Sequence, residues 1–259
     1  MNELKDIIKE FETISLEEVN LKAALLERVD TKYVLSFSTL KSVLEDCKES
    51  YKILKINDCL INRYETIYFD TDDLHYYHQH QAGRLNRVKV RLRKYIESEA
   101  CYLEVKKKTN KGISIKLRTS VNTDEAYQLN FLDKPIFASI RHLIKDNLVV
   151  SLQNAYSRIT LVDKYSPERI TIDLSPSFWI ANKSISLPDY VIIENKHEKN
   201  VSSSFRKLMK KHKVKKGGIS KYCLGIISLY QDVKKNNFKP ILKKLEKTIL
   251  YDFFANTNQ

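Results

Sequence analysis

Glycine and proline are both scarce in this chain of 259 residues, five of each. No Ser/Gly-rich or Pro-rich tract interrupts it, so no flexible linker divides it and a single domain over 1–259 is expected. The four cysteines, Cys47, Cys59, Cys101 and Cys223, stand apart without a CxxC pair, which excludes a zinc ribbon or a disulfide framework and suits a reducing cytoplasm. Apolar runs such as Cys223 to Leu229 fall far short of the roughly 18 residues a bilayer span needs. Met1 to Asp6 mix charged with apolar residues, so no secretory signal is expected. Acids are the last shortage, 32 against 45 Lys and Arg for a formal net charge of +13. That excess attracts polyanions, whether nucleic acid, anionic membrane or a phosphate-rich small molecule, without choosing among them.

The cations that are present follow a pattern. Arg87, Lys89, Arg91, Arg93 and Tyr95 alternate with Val88, Val90, Leu92 and Lys94, and a period of two marks one face of a strand. Tyr102, Glu104, Lys106 and Lys108 repeat it, as do Ser114, Lys116 and Arg118, then Tyr156, Arg158 and Thr160, then Arg169, Thr171 and Asp173, then Ile192, Glu194 and Lys196. Arg28, Asp30 and Lys32 fit more weakly. One such strand is ordinarily a wet sheet face. Six sharing a code, with few acids on the polar side, argue that aliphatic faces pack outward on helices and basic faces meet across a barrel. Cations so confined need a polyanion to neutralise them. Arg93, Arg158 and Arg169 can grip phosphate bidentately, and lysines act as point charges.

Strands are expected near 26–35, 61–69, 86–96, 101–109, 112–120, 153–164, 168–174 and 187–196. Helices are expected over 3–14, 37–48, 123–146 with a break at Pro135, 201–212, 220–234 and 239–254. Asp70 and Thr71 form a capping pair for a helix beginning near Asp72 that Gly83 stops. The fold class is therefore α+β, an eight-stranded antiparallel β tunnel with flanking helices and a core over 20–235.

With these residues in place the chain resembles the VTC (vacuolar transporter chaperone) polyphosphate polymerase domain, a branch of the triphosphate tunnel metalloenzymes related to the CYTH group. The resemblance rests on RVDTKY at 28–33, YFDT at 68–71 followed by 75–83, RLRKY at 91–95, EVK at 104–106, KLR at 116–118, YSR at 156–158, RITID at 169–173, ENK at 194–196 and SKY at 220–222. It implies a tunnel in which the γ-phosphate of ATP passes to a growing inorganic polyphosphate chain, with Mn²⁺ or Mg²⁺ required. Catalytic roles are then expected for Arg91, Arg93, Arg158, Arg169 and Lys221. Substrate binding falls to Arg28, Lys32, Lys106, Lys116, Arg118, Tyr156, Lys196 and Ser220, and metal binding to Glu194 and Glu104. Where the wider CYTH group has ExExK, this chain has Arg28, Asp30 and Lys32, which argues against an ordinary CYTH cyclase or thiamine triphosphatase. The SPX and membrane-spanning segments of fungal forms are not seen, so a catalytic domain standing alone is expected. The resemblance leaves open a membrane-protein partner for export and a peripheral place at the inner face of the membrane.

Two other readings stay open at this point: an inorganic or nucleoside triphosphatase of the same fold, and a non-catalytic module binding polyphosphate or nucleic acid. Nucleic acid is not expected, because inward aromatics are few, chiefly Tyr95, Tyr102 and Tyr156, and no recognition helix stands out. His75, His78 and His80 read as a polar helix face rather than a metal site, since a helix turns His80 away from the other two. The lysines at 207, 210, 211, 213, 215 and 216 read first as a solvated helix end, and second as an electrostatic funnel or lipid site.

Overall fold

Alternating charged and aliphatic residues build one curled antiparallel sheet with helices on its convex side. The computed structural model describes residues 2–22, 28–122, 134–199 and 201–243. In chain order these form α1 (Asn2–Lys9), β1 (Thr13–Ile14), α2 (Leu16–Lys22), β2 (Arg28–Ser36), α3 (Phe37–Glu45), β3 (Tyr51–Leu54), β4 (Asn62–Asp70), α4 (His75–Gln81), β5 (Arg87–Tyr95), β6 (Ala100–Lys108) and β7 (Ser114–Ser120). A 3-10 stretch at Pro135–Leu143 follows, then β8 (Val149–Asp163), β9 (Arg169–Ile180), β10 (Lys183–Ser186), β11 (Tyr190–Glu198), α5 (Ser204–Lys211) and α6 (Lys221–Leu229). The principal sheet runs β2-β11-β9-β8-β4-β5-β6-β7. Those eight are the eight strands expected, and they curl into a half-barrel.

The outer face of the sheet is apolar in two regions. Tyr33, Leu35, Ile159, Leu161, Ile170, Ile172, Val191 and Ile193 pack against α1, α3 and α5. Val88, Val90, Leu92, Leu103 and Val105 pack against Tyr76 of α4 and against Phe137 and Ile140 of the 3-10 stretch. A third cluster has a different purpose. Val34, Tyr68, Leu152, Phe178 and Ile192 close on Tyr222, Cys223, Leu224 and Ile226 of α6, so α6 plugs one end of the concave side. Gly225 makes this approach possible: a Cβ there would lie 2.5 Å from Leu152 and 2.7 Å from Phe178.

Several boundaries differ from expectation. The first helix stops at Lys9, because β-branched Thr13 and Ile14 leave it to pair with Ile53 and Leu54. The 220–234 helix ends at Leu229, and Tyr230 turns extended so that its hydroxyl reaches the Ser151 carbonyl at 2.9 Å. Within 123–146, residues 123–133 lie outside the described residues, and the remainder coils as a 3-10 stretch that buries Phe137 and Ile140. That i,i+3 spacing matches three residues per turn. The last helix starts at Lys239, with Pro240 in its first turn, and 244–259 lie outside the described residues. The helix expected near Asp72 begins instead at His75, with Leu74 at its N-cap, and Asp70 and Thr71 reach its first-turn N–H groups from further upstream. Asp70 accepts from the backbone N–H of Thr71, Tyr76 and Tyr77, and Thr71 Oγ1 accepts from His75 N at 3.0 Å.

Asn195 stands on the outer face where an apolar residue is usual. Buried there, its Nδ2 donates to Ser203 Oγ at 2.8 Å beside Glu168, which accepts from Tyr51 Oη at 2.6 Å and Phe205 N at 3.0 Å. This polar knot ties the start of α5 to the sheet.

Candidate functional site

Strand register settles which residues share the concave lumen. Asp30 and Lys32 of β2 lie opposite Lys196 and Glu194 of β11, which lie opposite Arg169 and Thr171 of β9. Asp173 then pairs with Arg158, Arg158 with Asn62, and Tyr156 with Tyr64. Tyr64 pairs with Tyr95, Arg93 with Tyr102, Arg91 with Glu104, and Glu104 with Arg118. A bulge between Ala155 and Ser157 shifts the β8–β9 register. The predicted polar face is thus continuous from β2 to β7.

Three lumen carboxylates are each held by two cations. Glu104, with about 1% of its surface exposed, accepts from Arg91 Nε at 2.7 Å and forms an ion pair with Lys116. Asp173 receives a bidentate grip from Arg158, at 2.5 and 2.9 Å, and a second cation from Lys221. Glu194 Oε1 meets Lys196 at 2.6 Å and Lys32 at 3.2 Å. Burial opposes ionisation of Glu104, but Arg91, Arg93 and Lys116 outweigh it and bring its pKa down to about 2. Asp173 and Glu194 are likewise depressed against burial, by Arg158 and Lys221 and by Lys196 and Lys32 respectively.

The lysines bear the cost of the same burial. Desolvation lowers Lys89, Lys116 and Lys196 to about 8, although Glu104 and Glu194 pull the last two upward. It also lowers Lys106 and Lys221. Lys106 is held up by Glu194 and Asp30 and pushed down by Lys32, so β6 faces β11 and β2 across the lumen.

Aromatic rings floor the middle of the cavity. Tyr64 and Tyr156 stack with centroids 5.2 Å apart and planes 7° apart, Tyr95 meets Tyr64 edge-on, and Tyr102 meets Tyr95. Arg158 lies 4.9 Å over Tyr64, Lys221 4.3 Å over Tyr156 and Arg118 4.7 Å over Tyr102. Arg93 donates to Thr66 at 3.4 Å and has no carboxylate within ion-pair distance among the described residues. Ser220 caps α6 by accepting from Cys223 N, which fixes the neighbouring Lys221 in the lumen.

Every expected site residue with a described side chain is therefore on the lumen wall or at the start of α6; the side chain of Arg28 lies outside the described residues. Sequence reasoning undervalued Asp173 as the partner of Arg158, and it passed over Tyr64, Thr66 and Asn62. The inner face of β4 is aromatic and uncharged, so a search for alternating cations does not find it, although Asn62, Tyr64, Thr66 and Tyr68 do alternate. His80 is neutral, its pKa lowered to about 2 by burial and then by Lys89, Arg87 and Lys106. Arg87 Nε donates to its Nδ1 at 3.1 Å. No group of three or more His, Cys, Asp or Glu that could hold a metal occurs among the described residues.

A curled antiparallel sheet with a cationic concave face and helices behind it defines the triphosphate-tunnel class of proteins. Within that class the chain belongs to the VTC domain family, whose profile matches residues 27–230. No curated protein matches the sequence. Among solved structures, a candidate adenylate cyclase from Bacillus halodurans shares 14% identity, with 79% of this chain and 98% of that one covered at a TM-score of 0.52. A candidate adenylyl cyclase from Hippeastrum, described as having a dominant triphosphatase activity, shares 13% identity over 80% of this chain and 98% of that one at a TM-score of 0.46.

Proposed function

We propose that the lumen transfers the γ-phosphoryl group of ATP to inorganic polyphosphate. A terminal oxygen of the acceptor chain bonds to the γ-phosphorus, the bond to the β-phosphate oxygen breaks, and ADP leaves. The observation that carries this reading is the state of the lumen charges: Glu104, Asp173 and Glu194 are already committed to cations, and Arg93, Lys89 and Lys106 have no carboxylate within ion-pair distance among the described residues. Such a surplus of buried and half-buried positive charge suits a chain of phosphates.

Phosphoryl transfer asks mainly for alignment and charge neutralisation. In this reading Arg91, Arg93, Arg158, Arg169 and Lys221 neutralise the transferring group. Arg28, Lys32, Lys106, Lys116, Arg118, Lys196, Ser220 and Tyr156 hold donor and acceptor in line. Asp173 keeps Arg158 and Lys221 aimed at the same point.

Glu194 fits a hard divalent cation, Mn²⁺ or Mg²⁺, better than Glu104 does. The nearest approach of both Lys196 and Lys32 is to Oε1 of Glu194, whereas Arg91 takes one oxygen of Glu104 and Lys116 the other. One carboxylate with phosphate oxygens is a sufficient donor set for such an ion. Such an ion, held by Glu194, would supply positive charge against the phosphates; Glu104 instead orders Arg91 and Lys116.

Hydrolysis is the second reading, favoured by the α6 plug, which bounds the length of chain the lumen can hold. Purified protein given ATP, short polyphosphate and Mn²⁺ or Mg²⁺ separates the two. Lengthened polymer with stoichiometric ADP is the expected result, and phosphate release without polymer would replace transfer by hydrolysis. No helix among the described residues is long and apolar enough to cross a membrane.

A further inference from the structure

Positive charge is not spread evenly around the lumen. On the β2-β11-β9-β8 side, Lys32, Lys196, Arg158 and Lys221 are matched by Glu194 and Asp173. On the β5-β6-β7 side the register sets like charges directly opposite one another. Arg87 faces Lys108, Lys89 faces Lys106, and Lys106 faces Lys116. Like charges in cross-strand pairs are destabilising, so this row is held against its own repulsion. On this side Glu104 forms ion pairs with Lys116 and Arg91, and Glu194 and Asp30 act on Lys106 from across the lumen.

Lys89 is the extreme case. It has no carboxylate within ion-pair distance among the described residues. After burial, the largest influences on it are the Cys223 thiol, which burial keeps protonated, and Arg91, Lys106 and Lys32, all positive. His80 stands behind it and is neutral. Lys89 also sits at the blocked end of the lumen. Neighbouring Arg91 pairs with Tyr68, whose ring lies 5.0 Å from that of Tyr222 in α6. There Tyr77 of α4 meets Tyr222 edge-on within the apolar cluster that fills this part of the concave side.

We infer that the Lys89–Lys106–Lys116 row is the seat for a terminal phosphate group, where a phosphate chain entering the lumen comes to its end. This rests on reading the lumen as a phosphate-chain site and holds for transfer or hydrolysis alike. An end group suits the place for two reasons. A terminal phosphate carries close to two negative charges near neutral pH, as phosphate monoesters do, whereas a bridging one carries a single charge. The apolar cluster that α4 and α6 form with the inner face of the sheet fills the concave side next to this row. Lys89 is the member of this row that alternation alone could not rank above any other lining lysine.

The test compares linear tripolyphosphate, which has two end groups, with cyclic trimetaphosphate, which has three phosphates and none. Dissociation constants are measured calorimetrically for the full chain, Lys89→Met, and Lys94→Met as an outward-facing control on the same strand. Lys89→Met is expected to weaken the linear ligand about 10- to 100-fold, the scale of one charge-assisted contact, while changing the cyclic one several-fold less. Lys94→Met is expected to change neither. The ligand-free Lys89→Met protein is also expected to melt higher than the parent, because an uncompensated buried charge has gone; a lysine serving structure alone would lower it. Equal weakening of both ligands, or an unchanged linear constant, overturns the end-group seat and leaves the phosphate-chain reading standing. Failure of the parent chain to bind tripolyphosphate overturns both.

Discussion

Asp70 has none of its surface exposed, yet its two carboxylate oxygens organise three elements. Oδ1 accepts from Thr71 N and Tyr76 N at 2.8 Å, and Oδ2 accepts from Tyr77 N at 2.9 Å and from the Tyr222 hydroxyl. β4 is thereby tied to the start of α4 and, through Tyr222, to α6. Replacement by alanine would strand several buried donors, each costing about 1–3 kcal/mol. Asp70→Ala is therefore expected to lose at least about 3 kcal/mol of unfolding free energy in urea titration, and an unchanged midpoint would contradict the role. The pair Asp70/Thr71 was legible as a cap because a short acceptor just before a helix is a local signal. Its second task, receiving Tyr222 from 152 residues away, was not, since nothing local records that contact.

At the scale of elements, β5, β6 and β9 announced themselves because their inner residues are charged and their outer ones aliphatic. The alternation gave the lumen face of every principal strand except β4, where tyrosine and threonine replace the cations. α6 was legible as a helix but not as a plug: Tyr222, Cys223, Leu224 and Ile226 are buried on several sides, and only the packing reveals that its N-terminus delivers Lys221 to Asp173. Gly225 supplies a test of that delivery. Gly225→Ala must displace Leu152 or Phe178, an overpacking cost of about 1–3 kcal/mol. As α6 is pushed outward, Lys221 leaves Asp173, and tripolyphosphate binding is expected to weaken together with stability. A variant that loses stability but keeps its dissociation constant would separate plug from site.

For the whole molecule, the lumen opposes stability to affinity through pH. Lys89, Lys116 and Lys196 release protons near 8 when folded and near 10.5 when unfolded. Between those values the unfolded chain binds more protons, so stability rises with pH. Phosphate binding needs the protonated forms and declines across the same window. From pH 7.5 to 9.5 the ligand-free melting temperature is expected to increase while the tripolyphosphate dissociation constant weakens; a falling melting temperature with a constant affinity would refute the buried-lysine account. Glu104 works at the other end of the scale. Its depressed pKa contributes stability that is present above about 4.5 and lost as pH falls through about 2.

β7 has one strand neighbour among the described residues, and the free edge of β2 is taken instead by a short bridge in which Tyr33 pairs with Lys216 and Gly217 N donates to Lys32 O at 2.8 Å. In a closed barrel, strand number and shear fix the radius. Here no ladder of backbone hydrogen bonds joins β7 to β2 among the described residues. Between those edges the cations of β5, β6 and β7 stand opposite one another in cross-strand pairs, so an anion laid along them offsets a repulsion that the backbone ladders otherwise hold alone.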